Sequence, residues 1–465
     1  MTPCRTRLHT WVSLVIVIPA THCGTRVIDA VDLPDAAPIY SMTIAPDAGT
    51  AMAPDTSSTP PSDAGDPAVP DANTRPALIW PNAVSSANSD PWLVAHHDSI
   101  TQMRPRVLVF DYYNPWSVRQ ARMLAQGRVD AIAESSRYHG YMNPMAPAFL
   151  TYTLVGVVDL TDHPPPPPGG QRAASTRLPT DANGAFDMGR LFAETLVADS
   201  ANPSQLLTLC QLFEHGIINE LWLLTGDEGT PRRPPQLVES KQVYDGQNVP
   251  IASVFDGRTG YEPWPVSVPH CNATARVAYL SPINDVGCDL VSHSVGLENT
   301  YHAIPYLAVN ASHFFNQDFG ARFGTSFSRW ADLWCASSLG CITYPRQTAA
   351  QGTYMDGGAW MMDPFAQGCG TAHFPPNARS EWDYVNPQSV ESRCEHYGMH
   401  DGPGGGDRSD LYSLAKEGAL AVQSGDGCGG GWQIYLRQSV PGLYNTAYAA
   451  DGTTPMKNWW PFLFY

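Results

Sequence analysis

Arg106-Val107-Leu108-Val109-Phe110-Asp111-Tyr112-Tyr113-Asn114-Pro115 decides the fold class. Val107 to Phe110 form a short, continuous apolar run of β-formers, as a strand covered on both faces requires. The run stops at an acidic turn, and Asn114 with Pro115 reads as an N-cap followed by the favoured first-turn proline of a helix. Val118, Ala121, Ala125, Val129 and Ile132 then recur at intervals of three and four, one apolar stripe that should fade before Gly140. The same unit returns downstream. Phe149 to Leu160 reads as a buried strand ending at Asp159. Asn202 and Pro203 open a second helix with Leu206, Leu209, Cys210 and Phe213 on its inner face and Gly216 at its end. Ile217–Leu224 and Arg276–Leu280 are further strands, and a helix is expected over about Val286–His302. Strands alternating with helices predict an α/β body with a largely parallel sheet and flanking helices. The long connections 161–201 and 229–275 imply insertions.

Beyond about residue 305 the alternation fades. Gly402–Gly406 and Gly425–Gly431 are glycine-rich, and cysteines fall close together, so this part is expected to be loop-rich and stapled by disulfides. The body is expected to be a single unit over 78–465.

The N-terminal side has another character. Arg5 and Arg7 precede the apolar run Trp11–Ile18, which is too short for the roughly twenty residues of a spanning helix and fits a signal peptide over 1–22. One reading cleaves after Ile18-Pro19-Ala20. The favoured one makes Cys23 the lipid attachment point of an outer-membrane or cell-surface lipoprotein, although His22 before it is larger than usual. Setting aside Cys4 and Cys23 leaves an even set: Cys210, Cys271, Cys288, Cys335, Cys341, Cys369, Cys394 and Cys428, which suits an oxidising compartment. Residues 23–77 repeat Pro-Asp-Ala and carry too little apolar surface to offset ordering entropy, which predicts a disordered tether. A formal charge of −17 disfavours nucleic acid as a partner. The glycine runs lack the lysine ending of a phosphate loop, so no nucleotide is expected.

The chemistry-bearing candidates are acidic strand ends. In an open parallel sheet, ligands bind outside the carboxyl ends of the strands. Asp111, Asp159, Asp227 with Glu228, and Asp285 all follow predicted strands, and neighbouring strands would gather them into an acid and base pair. The ordinary alternative is that they cap helices. Glu239 is a further candidate. In the helix ending at His302, Glu298 and His302 share a face, but His293 is off that line and no metal site is assigned. Ser292-His293-Ser294-Val295-Gly296 departs from a nucleophile elbow at its first residue. His373-Phe374-Pro375-Pro376-Asn377-Ala378-Arg379, continuing to Asp383, should form a rigid extended loop. It presents His373 as a catalytic candidate and Asn377, Arg379 and Asp383 as binding candidates.

That string resembles one in a group of secreted bacterial proteins with no established activity. Asn219-Glu220-Leu221-Trp222, Val238-Glu239-Ser240, Ser136–Tyr141 and Asn458-Trp459-Trp460 are similar too, in the same order. The resemblance implies one integrated domain over most of 100–465 and carries no mechanism. In the group a Gly-His pair lies in the helix matching Val286–His302; here Val295 stands at or near that histidine and Glu298 is kept. Two functions fit these readings: hydrolysis of an extracellular polymer such as polysaccharide, through Asp111, Asp227, Glu228, Glu239 and His373, or non-catalytic binding of a glycan or protein at the cell surface. No cofactor is named by any motif. Mass spectrometry of the membrane fraction should find an acylated Cys23; a soluble mature chain beginning at Thr21 would refute the lipid anchor.

Overall fold

The computed structural model describes residues 78–81, 93, 95–96, 99–162, 174–198, 206–226, 237–244, 250–258, 271, 273–282, 285–317, 342–353, 359–362, 368–380, 382–424 and 427–464. All lie within the compact unit 40–465. Its frame is built from β1 (Arg106–Asp111), α1 (Val118–Ser135), β2 (Thr153–Asp159), α2 (Met188–Glu194), α3 (Leu209–Glu214), β3 (Glu220–Leu224), β4 (Leu237–Tyr244), β5 (Pro250–Arg258), β6 (Ala275–Leu280), α4 (Val286–Ala303), α5 (Leu414–Ser424) and α6 (Gly430–Ser439). The six strands form one sheet in the order β2-β1-β3-β6-β4-β5. The first four are mutually parallel, so the fold is α/β with a mainly parallel sheet. The long connection before β6 supplies β4 and β5, which extend the sheet in antiparallel fashion.

The alternation of β1 places its side chains in two cores. Val107 and Val109 pack with Ala121, Ala125, Val129 and Ile132 of α1 and with Leu290 and Leu297 of α4. Leu108 and Phe110 pack with Leu191 and Phe192 of α2 and with Leu209, Leu212 and Phe213 of α3. Strand order therefore reverses between β1 and β3: β1 leads through α1 on one face to β2, and the chain returns through α2 and α3 on the other face to β3.

Helix starts differ from the sequence expectation. Ser117, in extended backbone, caps α1 and forms a capping box with Gln120. Asn114 is engaged elsewhere: its Nδ2 donates to Asp162 Oδ2 at 3.1 Å, and its Oδ1 accepts the Asp162 N–H at 2.8 Å. Thr208 caps α3 in the same way, whereas Asn202 and Pro203 lie outside the described residues. Among the described residues no helix is long and apolar enough to cross a membrane.

The C-terminal part is less loop-like than its glycines suggest. Gly430 and Gly431 begin α6, all ten residues of which are buried. Gly429 precedes it at φ +66°, and a Cβ there would meet Tyr384 Cδ1 at 2.4 Å, so both the backbone and the space require glycine. Short strands surround this core: Ile342–Arg346, Ala349–Thr353 and Ala359–Met362 in one antiparallel sheet, and Val390–Ser392 paired with Asp410–Tyr412. Three disulfides are formed among the described residues: Cys210–Cys271, Cys288–Cys428 and Cys369–Cys394. Cys335 and Cys341 lie outside them.

Cys288–Cys428 ties the start of α4 to the turn before α6 and closes a loop of 140 residues, against 25 for Cys369–Cys394. Chain entropy makes the longer loop worth about 5 kcal/mol and the shorter about 3.5. Thermal unfolding should therefore show a larger loss for the C288A/C428A variant than for C369A/C394A; the opposite order would mean that local packing outweighs loop closure.

Candidate active site at the carboxyl edge

Asp111 ends β1 beside the reversal point. In register it faces Asp159 of β2 on one side and Leu224 of β3 on the other. It shares the sheet face of Val107 and Val109, under the helix layer, and is completely buried. Oδ1 accepts the Tyr113 N–H at 3.0 Å, while Oδ2 has no hydrogen-bond partner. Burial raises the Asp111 pKa to about 7; the Tyr113 N–H opposes the rise and the nearby Asp159 carboxylate adds to it. Asp159 Oδ1 accepts from Thr161 through both N–H (3.0 Å) and hydroxyl (2.6 Å).

Asp162, next along this edge, is the counterpart. Burial would raise its pKa, but bonds from Thr176, Asn114 and Ser175 outweigh that and hold it down to about 2. Its oxygens accept the Thr176 N–H at 2.9 Å and hydroxyl at 2.6 Å, and the Ser175 hydroxyl at 3.0 Å. One edge thus carries a carboxyl poised near neutrality and a permanently ionised one, the division of labour that acid–base chemistry uses. On the other sheet face, a groove of about 260 Å³ opens between Phe110, Tyr112, Val158 and Leu160, with Arg177 and Glu194 on its rim.

The other candidates are distributed differently. Asp285 caps α4, accepting the Cys288 N–H at 3.1 Å. Asp227 and Glu228 lie outside the described residues. Glu239 is not at this edge: it pairs with Arg276, which pairs with Glu220, four residues back from the Asp111–Leu224 rung, or about 13 Å. The antiparallel course of β4 is the reason.

His373 belongs to a different set of contacts. Its loop packs on α4 and α6, where Glu298 Oε1 accepts the Ala372 N–H at 2.5 Å, Gln433 Nε2 donates to Ala372 O at 2.6 Å and Trp432 Nε1 donates to Thr371 O at 3.0 Å. Val291 and Val295 meet Ala372 on one side of α4, while Leu290, Leu297 and Tyr301 face the main core. Asp111 makes no hydrogen bond or ion pair with this loop. Asn377, Arg379 and Asp383 stiffen the loop itself. Buried Asn377 donates to Asn386 O (2.7 Å) and Gln388 O (2.9 Å), and Arg379 grips Asp383 through Nε (2.7 Å) and Nη2 (3.1 Å). What the loop displays is Trp382, 44% exposed, at φ +64° and tilted by 30° against His373 with 3.9 Å between ring centres. Beneath it, burial raises the Glu298 pKa to about 8 against the Ala372 N–H, although part of the residue still reaches the surface.

Sequence reasoning missed the polar cluster inside the main core. Glu220, Arg276 and Arg437 are buried with Tyr152 and His293. The available signal was the presence of Glu220 and Arg276 in otherwise apolar strands. Among the described residues no group of three or more His, Cys, Asp or Glu side chains could hold a metal ion.

Asp111 binds its proton more tightly folded than unfolded. Between pH 4 and 7 the native state keeps that proton and the unfolded state does not, so stability falls as pH rises through this window and levels above it. Urea unfolding from pH 4 to 8 should show wild type losing up to about 4 kcal/mol relative to D111N by pH 7. A constant difference between the two proteins would contradict a raised pKa.

No protein-family model, no curated protein and no solved structure matches this chain.

Proposed function

We propose that the chain is an exported hydrolase of an extracellular polymer, held at the cell surface through Cys23, with Asp111 as its acid. The observation that carries this reading is a wholly buried carboxyl, with a pKa of about 7 and one oxygen without a partner, at the strand-order reversal. Such a group is protonated about half the time at neutral pH and can give a proton to a leaving oxygen or take one from water. Asp159, on the adjacent strand and the same face, is the carboxylate placed to act as base or nucleophile. Asp162 already accepts four hydrogen bonds, which suits a positioning role for the 112–117 and 174–176 segments. The three disulfides fit an oxidising compartment outside the cytoplasm.

A second reading rests on a different observation. Exposed Trp382, in ring contact with His373 and held on a self-locked loop, offers a flat ring for a sugar face. In that case the protein binds a glycan without cleaving it.

A screen of cell-wall and environmental polysaccharides, with and without chelator, should find a substrate that the mature protein cleaves. D111N should lose 100-fold or more in turnover while W382A keeps its rate constant. Undiminished turnover in D111N would remove Asp111 from the chemistry. Saturable binding that W382A abolishes, with no turnover of any polymer, would establish the binding module instead.

A further inference from the structure

Between the sheet and α4, two buried guanidiniums have no carboxylate partner among the described residues. Arg128 of α1, Arg276 of β6 and Arg437 of α6 are 0–1% exposed, and Glu220 of β3 lies beside Arg276. Glu220 Oε2 accepts the Tyr152 hydroxyl at 2.7 Å and lies 3.4 Å from Arg276 Nε, while Oε1 accepts Trp222 Nε1 at 2.7 Å. His293 supplies no counter-charge. Arg437 Nη1 can only donate, so His293 Nδ1, 2.5 Å away, accepts. The ring proton then sits on Nε2, 3.4 Å from the Tyr152 oxygen. The sequence of donors runs from Arg437 through His293 and Tyr152 to Glu220, with a neutral imidazole in the middle. Burial, then Arg437, Arg276 and Arg128, keep His293 well below its ordinary pKa.

Of the three guanidiniums, Arg128 and Arg437 hydrogen-bond no carboxylate among the described residues. Trp222 lies 4.4 Å from the Arg128 carbon, Phe464 5.4 Å from that of Arg276 and Trp460 5.3 Å from that of Arg437. Ring faces offset only part of the desolvation of a buried cation. Arg128 Nη1 reaches Tyr279 O at 3.1 Å and Arg437 Nε reaches Ser135 Oγ at 2.6 Å. Arg128 Nε and Nη2 and Arg437 Nη2, all buried, meet no acceptor among the described residues. Charge-assisted donors left without an acceptor are costly in an interior, and an anion is the ligand that answers both the charge and the donors.

We propose that this cluster is an internal halide site, in which chloride is held by the free N–H groups of Arg128 and Arg437 beside Arg276. Size selects the halide: none of the surrounding Arg, Glu, His and Tyr side chains is more than 6% exposed, so the enclosure suits a single-atom anion better than an oxyanion. The site is distinct from the carboxyl edge and does not depend on the hydrolytic reading.

The test uses the full mature protein at constant ionic strength, with gluconate exchanged for chloride or bromide. The melting temperature should rise by several degrees in either halide and saturate with concentration, as binding to the native state alone requires. R128M should abolish the halide dependence while remaining folded, because Met fills the aliphatic space of the stem. Crystals grown in bromide should give an anomalous peak within 3.5 Å of a nitrogen of Arg128 or Arg437, about the reach of a hydrogen bond to a halide. This measurement stands even where R128M fails to fold. Equal melting temperatures in gluconate and halide, or a halide-dependent rise with no bromide peak at these nitrogens, would overturn the proposal. So would ordered water filling the space in bromide crystals. A melting temperature that rises with phosphate and not with halide would overturn it in favour of an oxyanion.

Discussion

Arg437 is where the two halves of this chain become one structure. It sits on a helix whose every residue is buried, and it reaches Ser135 at the end of α1 and His293 in the middle of α4. Its neighbours on α6 act alike: Gln433 and Trp432 hold the carbonyls of the 371–372 turn, and Gln438 holds Glu134 O at 3.0 Å. A helix this polar can be buried only if most of its groups find partners. The partners come from segments up to three hundred residues earlier, so the C-terminal part cannot be displaced from the sheet without exposing an unpaired interior. The Cys288–Cys428 bond closes the same junction covalently.

The same need for partners separates the carboxylates of this protein by role. Asp162 has a full set of donors and stays ionised, while Asp111, one oxygen short, holds its proton to about pH 7. Glu417, buried against the Tyr412 hydroxyl, is raised to about 8 by burial. Net charge says nothing of this: the formal −17 sums the whole chain, whereas Arg128 and Arg437 are buried without a carboxylate partner among the described residues.

The proline-rich string around Pro375 and Pro376 shows how a loop earns rigidity from residues that resemble a binding site. An amide, a guanidinium and a carboxylate at 377, 379 and 383 looked like ligand contacts, yet their partners are the backbone and one another. Their effect is to hold Trp382 in a left-handed backbone conformation with its ring half in solvent against His373. Left-handed backbone at a bulky residue is strained, and a self-locked loop is the kind of surrounding that can sustain it.

Periodicity made much of the frame legible. The β1 run, the α1 stripe through Ile132, the strands ending at Asp159, Leu224 and Leu280, and the helix from Val286 are local patterns, fixed by which side chains must leave water. The helix starts were less so, because Asn114 and Ser117 are both good caps and only the bond from Asn114 to Asp162, forty-eight residues away, decided between them. Tertiary structure alone decided the rest. The antiparallel course of β4 moved Glu239 to the far end of the sheet. Bonds with Glu298, Trp432 and Gln433 set the 371–372 turn on α4 and α6. The burial of α6 turned a glycine-rich stretch into the structural centre. Sequence records what each residue can donate, accept or hide; which partner answers depends on contacts between segments distant along the chain, and those exist only once it is folded.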